Sequence, residues 1–168
     1  MSDRCEAELA DITRREYPRL VGMLALYTGD RQVAEDLAQE ALVRLHQRWA
    51  RAPELERVEA WLSRVAMNLA NSWWRRRYAE HRANRRALVE RTPATLEPET
   101  VLAVRAAVAE LPRRQRAAVI LRFYGGCSVA ETAQAMRCRE GTVKSLTSHA
   151  VTRLRASLQF SDDEVLIP

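Results

Sequence analysis

Apolar residues recur every three or four positions in segment after segment of this chain, and nowhere do they alternate with period two for long enough to build a strand. Each helix of such a chain must bury its apolar stripe against other helices, which confines the fold to an all-α architecture. Leu9, Ile12, Leu20, Val21, Leu24 and Tyr27 lay out a first helix closed by Thr28-Gly29-Asp30, with Pro18 a site for a kink. Asp30 is placed to cap a second helix through its carboxylate. The inward face of that helix reads Val33, Leu37, Ala41, Leu45 and Trp49, and Pro53 stops it. Val58, Trp61, Leu62, Val65, Leu69 and Trp73 give a third helix that runs into Arg75-Arg76-Arg77. These three helices can close one core.

Beyond Tyr78 the periodicity fades into a polar, arginine-rich stretch, and the segment from Thr92 to Pro98 carries two prolines, as a linker does. After it, Val101, Leu102, Val104, Val108 and Leu111 mark a helix ended by Pro112, and Ala117, Ile120, Leu121 and Tyr124 mark another ended by Gly125-Gly126. Ser128 and Glu131 have the spacing of a capping box that opens a short helix reaching Met136. A turn over Arg137 to Gly141 leads into a long helix striped by Val143, Leu146, Ala150, Leu154 and Leu158. The pattern divides the chain into two small helical domains, 1–80 and 99–158, joined by a linker over 81–98 and followed by an acidic tail over 159–168.

A length of 168 residues, 47% of them hydrophobic, suffices for one ordinary core or two small ones. No apolar run approaches the roughly 20 residues that span a bilayer, and the opening Met1-Ser2-Asp3-Arg4-Cys5-Glu6 lacks the basic-then-apolar order of a secretory signal, so no membrane insertion and a cytoplasmic location are expected. Cys5, Cys127 and Cys138 form no Cys-x-x-Cys pair and are expected to be reduced thiols, with no metal site and no cofactor. The net charge of +5 suits a polyanionic partner. Its distribution is more informative: residues 61–92 hold eight arginines against two glutamates, whereas residues 1–60 are net acidic. Every basic residue but Lys144 is arginine, which contacts phosphate with a bidentate, permanently charged fork. An arginine-biased codon usage gives the same count, so the clustering carries the argument.

A short capped helix, a tight turn and a longer helix rich in Lys, Arg, Ser, Thr and His match a DNA-reading helix-turn-helix, whose second helix enters the major groove. With Val143, Leu146, Ala150 and Leu154 turned to the core, Arg139, Glu140, Thr142, Lys144, Ser145, Ser148 and His149 are left at the start and outer face of that helix for base edges and phosphates.

The runs Leu111 to Arg116, Val119 to Tyr124, Ser128 to Ala133 and Gly141 to Ser145 together resemble the promoter-reading C-terminal domain of the extracytoplasmic-function (ECF) sigma factors of bacterial RNA polymerase. Upstream, Ala34 to Ala41 resembles the polymerase-binding helix of that family, and Ala60 to Ala70 the helix preceding its minus-ten reading loop. The resemblance runs from about residue 8 to residue 158 in the family order, and lies nearest an actinobacterial branch. It implies a sigma-two-like domain over 1–80 for core polymerase binding and minus-ten recognition, and a sigma-four-like domain over 99–158 for the minus-thirty-five element. It implies that Asp36, Gln39 and Glu40, which cannot share the stripe of Val33, Leu37 and Ala41, dock on the clamp helices of the largest polymerase subunit. It also implies that Asn71, Ser72, Trp74, Arg75, Arg76 and Arg77 take the melted minus-ten strand, whereas the helical spacing puts Trp61 and Trp73 in the core. Rings and cations side by side are what separated strands require. An anti-sigma protein is an expected partner. Arg139 stands where the family often has a small capping residue, and Leu146 and His149 stand near positions it often fills with arginine, so the promoter sequence of a relative does not transfer.

An enzyme is disfavoured by the residues: His46, His81 and His149 lie far apart, with no H-E-x-x-H spacing, P-loop or G-x-G-x-x-G. A dimeric helix-turn-helix regulator working without polymerase accounts for residues 99–158 but leaves Asp36, Gln39, Glu40 and the segment Asn71 to Arg77 without a role.

Overall fold

A computed structural model describes residues 3–51, 56–83 and 99–158; Pro53, the linker residues 84–98 and the tail 159–168 lie outside the described residues. Among the described residues all regular structure is helical. Three long helices, α1 (Asp3–Thr28), α2 (Arg31–Trp49) and α3 (Val58–Ala83), form the first half. The second half contains α4 (Glu99–Glu110), α5 (Arg113–Val119) with a π-helical turn (Ile120–Tyr124), α6 (Val129–Met136) and α7 (Glu140–Leu158).

Leu20, Leu24 and Tyr27 bury the inner face of α1 almost completely, and α1 continues through Pro18 as one element. Pro18 is exposed, so water can satisfy the carbonyl that the ring leaves unpaired. Gly29, at φ +75, turns the chain out of α1, and Asp30 then caps α2 with Oδ1 accepting from the Val33 amide at 3.1 Å. Leu37, Ala41, Leu45 and Trp49 are buried as the periodicity requires, while Val33 is only half-buried. α3 extends three residues past the domain boundary expected at 80.

The second half departs from the sequence pattern in three places. Val101, Leu102 and Val104 of α4 are 38–40% exposed, because Ala107, Val108 and Leu111 are what seat that short helix. The helix expected to end at Gly125 changes its winding: the Gly125 amide reaches back to the Ile120 carbonyl at 2.8 Å, a π-type closure, and Tyr124 is 41% exposed rather than buried. α7 starts at Glu140, inside the segment expected to be turn.

α6 opens on the expected capping box. Ser128 Oγ accepts from the Glu131 amide at 3.1 Å, and Glu131 Oε2 accepts from the Ser128 amide at 2.7 Å. Its C-cap Arg137 is left-handed at φ 51, a conformation usually left to glycine, and this turns α6 sharply into α7. Burial raises the Glu131 carboxyl, but the backbone and hydroxyl hydrogen bonds of Ser128 and the charges of Arg57 and Arg64 outweigh it, so the group lies below the usual carboxylate range. A depressed carboxyl stabilises the fold above its unfolded value and loses that contribution as pH falls through its folded value. Ser128→Ala is therefore expected to cost about 1 kcal/mol in urea unfolding at neutral pH. The deficit should narrow as Glu131 protonates; an unchanged midpoint at pH 7 would show the box to be dispensable.

One apolar cluster runs from α1, α2 and α3 into the second half, where Val108, Ala117, Ile120, Leu121, Cys127 and Ala135 join it. A smaller cluster of Leu111, Val119 and Ala150 seats α7.

Candidate polymerase and nucleic-acid interfaces

Three surfaces emerge from this packing. On α2, Ala34, Leu37, Ala38 and Ala41 face inward, which forces Asp36, Gln39 and Glu40 outward, and all three are exposed. Glu40 takes the Arg44 guanidinium at 2.9 Å and Asp36 accepts from Gln32 at 3.4 Å. These are i,i+4 contacts on an exposed face, worth a few tenths of a kcal/mol and readily exchanged for a partner.

The second surface lies along the middle of α3, which continues past Arg77 to Ala83. Arg75 and Arg76 are exposed, whereas Asn71, Ser72, Trp74 and Arg77 are half-buried. The Asn71 amide is held in place: Tyr27 donates its hydroxyl to Asn71 Oδ1 at 2.6 Å. Burial pushes the Tyr27 phenol up, with Arg113 and Arg116 opposing, so it remains a donor. Ser72 Oγ accepts from Arg75 at 2.8 Å, and the Arg77 guanidinium lies over the Trp73 ring at 5.2 Å. Trp74 stands edge-on to Trp73 at 4.8 Å and tilted against Tyr78 at 5.7 Å, and its buried indole Nε1 has no partner among the described residues. Trp61 and Trp73 pack against the core while remaining partly open. Tyr78, outside the set expected from the sequence, is 55% exposed and lies under the Arg113 guanidinium at 5.9 Å. Its i+4 spacing from Trp74 beside the arginine run was the available signal.

The third surface is the outer face of α7. Val143 and Ala150 are buried and fix the rotation of the helix, which leaves Arg139, Glu140, Lys144, Ser145, Ser148 and His149 exposed and Thr142 half-buried. All of the expected set but Thr142 is thus open to solvent. The Arg139 carbonyl receives the amides of Thr142 at 2.9 Å and Val143 at 3.2 Å, so its side chain sits at the helix entry.

Among the described residues no group of three His, Cys, Asp or Glu side chains could hold a metal ion, and no helix is long and apolar enough to cross a membrane. His46 and His149 are exposed, with His46 against Thr13 Oγ1 at 3.1 Å.

Residues 12–80 match the family described as Sigma-70 region 2, and residues 102–154 match Sigma-70, region 4. The RNA polymerase sigma-E factor of Streptomyces antibioticus is 35% identical over 130 residues, covering 77% of this chain and 72% of that protein. The ECF RNA polymerase sigma factor SigM of Mycobacterium tuberculosis is 31% identical over 154 residues, covering 92% and 79%. In structure, the chain is similar to the sigma factor RpoE from Bartonella quintana, crystallised in complex with the anti-sigma factor NepR. The TM-score is 0.76 at 25% identity, over 95% of this chain and 99% of that one.

Proposed function

The chain belongs to the ECF sigma factors of RNA polymerase, and from that membership we propose how its surfaces divide the work of promoter-specific transcription initiation. It binds core polymerase and directs it to promoters. Residues 1–80 form the sigma-two-like unit, 81–98 the linker, and 99–158 the sigma-four-like unit. Asp36, Gln39 and Glu40 offer an acidic-polar face to basic groups of the clamp helices. Arg139, Glu140, Thr142, Lys144, Ser145, Ser148 and His149 read minus-thirty-five duplex, and Asn71, Ser72, Trp74, Arg75, Arg76 and Arg77 take the melted minus-ten strand. Polymerase supplies the nucleotidyl-transfer chemistry and this chain catalyses nothing itself, acting in the cytoplasm where polymerase works. An anti-sigma protein is a proposed partner, and the similar RpoE was crystallised in complex with the anti-sigma factor NepR.

The observation that carries the division is the orientation of α7, with Val143 and Ala150 buried beneath a face of exposed polar and basic residues. A dimeric regulator needs no first half like this one, and the region 2 match over residues 12–80 leaves that reading without support.

Two tests address separate surfaces. Asp36→Ala with Glu40→Ala is expected to weaken assembly with core polymerase while leaving helical content unchanged, because neither side chain packs inward. Unaltered core affinity in a titration would remove the α2 assignment. At α7, Arg139→Ala and Lys144→Ala are expected to separate by contact type. Loss of a base contact costs about 1–3 kcal/mol and relaxes specificity, whereas loss of a phosphate contact weakens all sequences alike and lowers the salt slope by roughly one. Wild-type affinity and salt dependence in both variants would mean that another face reads the duplex.

A further inference from the structure

The turn from α6 into α7 is closed by a residue type that its backbone does not favour. Three of the described residues have φ in the left-handed region, and glycine fills two of those positions, Gly29 at φ 75 and Gly126 at φ 63. The third is Arg137 at φ 51. In that conformation a Cβ crowds the following carbonyl, which glycine escapes, and arginine lacks the short polar side chain with which asparagine or aspartate offsets the cost locally. The turn itself demands the conformation. The Arg137 amide reaches back to the Gln134 carbonyl at 3.3 Å, and the Cys138 amide to the Ala133 carbonyl at 3.0 Å. Glycine would close the same turn without strain, so what the arginine contributes lies in its side chain.

That side chain is exposed, and among the described residues it makes no hydrogen bond or ion pair. Exposed arginines elsewhere are engaged by carboxylates: Arg14 by Asp11 at 2.8 Å, Arg31 by Glu35 at 3.0 Å and Arg44 by Glu40 at 2.9 Å. Arg137 lines one surface depression with Arg139 and Glu140, where α7 begins. Glu140 pairs with neither arginine; it stands in the first turn of α7, where the helix dipole favours a carboxylate. Both guanidinium groups are left open to an anion from outside, and Lys144 is exposed one turn past Glu140.

In a helix-turn-helix the second helix enters the major groove by its N-terminal end while the first crosses the backbone, so a turn residue between them stands over phosphate rather than base edges. Resting on the reading of α7 given above, we propose that Arg137 is a further DNA-contact residue, a phosphate anchor at the rim of the minus-thirty-five groove. It lies outside the set from Arg139 to His149 that the periodicity of α7 selects, because it belongs to the end of α6. Its permanently charged fork suits a phosphate, and a phosphate carries no sequence. Arg137 therefore sets the strength of duplex binding and leaves the choice of bases to α7.

Arg137→Gly separates this role from a structural one, because stability and DNA binding should move in opposite directions. Glycine relieves the backbone, so the thermal midpoint of the full-length chain should rise by about 2–4 °C. The DNA probe is a duplex promoter fragment recovered from random sequence by selection with the wild-type holoenzyme. Holoenzyme carrying Arg137→Gly should bind it roughly fivefold more weakly at low salt, and the slope of log affinity against log salt should fall by about one. Single base-pair changes in the minus-thirty-five element should cost this variant as much as they cost the wild type. Arg137→Lys keeps the charge and should keep the salt slope. A raised midpoint with wild-type affinity and slope in Arg137→Gly, while Arg139→Ala or Lys144→Ala lowers the slope, overturns the anchor and leaves the α7 reading standing. Unchanged slopes in all three variants overturn the α7 reading and the anchor with it. A midpoint that falls in Arg137→Gly would mean that the arginine holds the turn, and overturns the anchor as well.

Discussion

Alanine at Asn71, Ser72 and Trp74 together is expected to leave core polymerase binding and minus-thirty-five duplex binding in place while cutting open-complex formation on linear promoter DNA by roughly five- to a hundredfold. That range corresponds to the about 1–3 kcal/mol that one base stacked on an aromatic ring contributes in single-strand binders. The loss should act late, because these residues lie midway along α3, on a different helix from the exposed faces of α2 and α7. A template already melted across the minus-ten element should recover part of the defect. The unpairing energy is then supplied, while capture of the strand remains impaired.

The packing of this site dictates the controls. Trp74 is half-buried against Trp73 and Tyr78, so its removal also loosens the packing along α3, and Trp74→Phe should retain most of the stability while losing part of the stacking. Tyr27→Phe deletes the hydroxyl that holds the Asn71 amide at 2.6 Å, and should give an intermediate defect without touching the DNA-facing residues. Permanganate footprinting on intact and pre-melted templates reads the outcome. Normal thymine reactivity in the triple variant on intact duplex would mean that the residues are structural and that strand opening is carried elsewhere.

Leu121→Ala should be the most destabilising of the substitutions considered, lowering unfolding free energy by about 2–5 kcal/mol, the range for a fully buried leucine truncated in a core that only partly collapses. Leu121 is 0% exposed, lies in the π-helical turn and belongs to the cluster shared by both halves. At roughly 2–4 °C per kcal/mol for a chain of this size, the midpoint should fall by about 10 °C. Because the cluster is continuous, the loss should move one cooperative transition, followed alike by tryptophan fluorescence, which reports the first half, and by far-ultraviolet dichroism. Two separated transitions in the wild-type chain, with only the later-numbered half shifted by the substitution, would show that the halves unfold independently.

The helix-turn-helix and its capping box were legible in the sequence because their determinants are local. Ser128 and Glu131 satisfy each other three residues apart, Asp30 caps α2 three residues on, and the spacing of Val143 and Ala150 sets the rotation of α7. The outward placement of Asp36, Gln39 and Glu40 followed from the same periodicity, since all three lie off the row that Val33, Leu37 and Ala41 form every four residues. Where prediction failed, the deciding partner was distant in sequence. Val101, Leu102 and Val104 carry an apolar pattern, yet α4 has too little core beside it to cover them. Tyr124 has core spacing on an α-helical wheel, but the π-turn shifts the wheel by a residue and sends its hydroxyl over Gly22.

By itself, then, the sequence determined the helices, their caps and the faces they turn outward, since hydrogen bonds and periodicity within a few residues leave each helix little choice. Only the tertiary structure decided that one apolar cluster joins the two halves, that Arg57 of the first half shares the capping carboxylate of the second, and that Cys127 lies buried against Ala60. Those contacts depend on shape fit between segments far apart in the chain, 67 residues for Cys127 and Ala60 and 74 for Arg57 and Glu131, and periodicity, which records only whether a face is buried, does not specify what covers it.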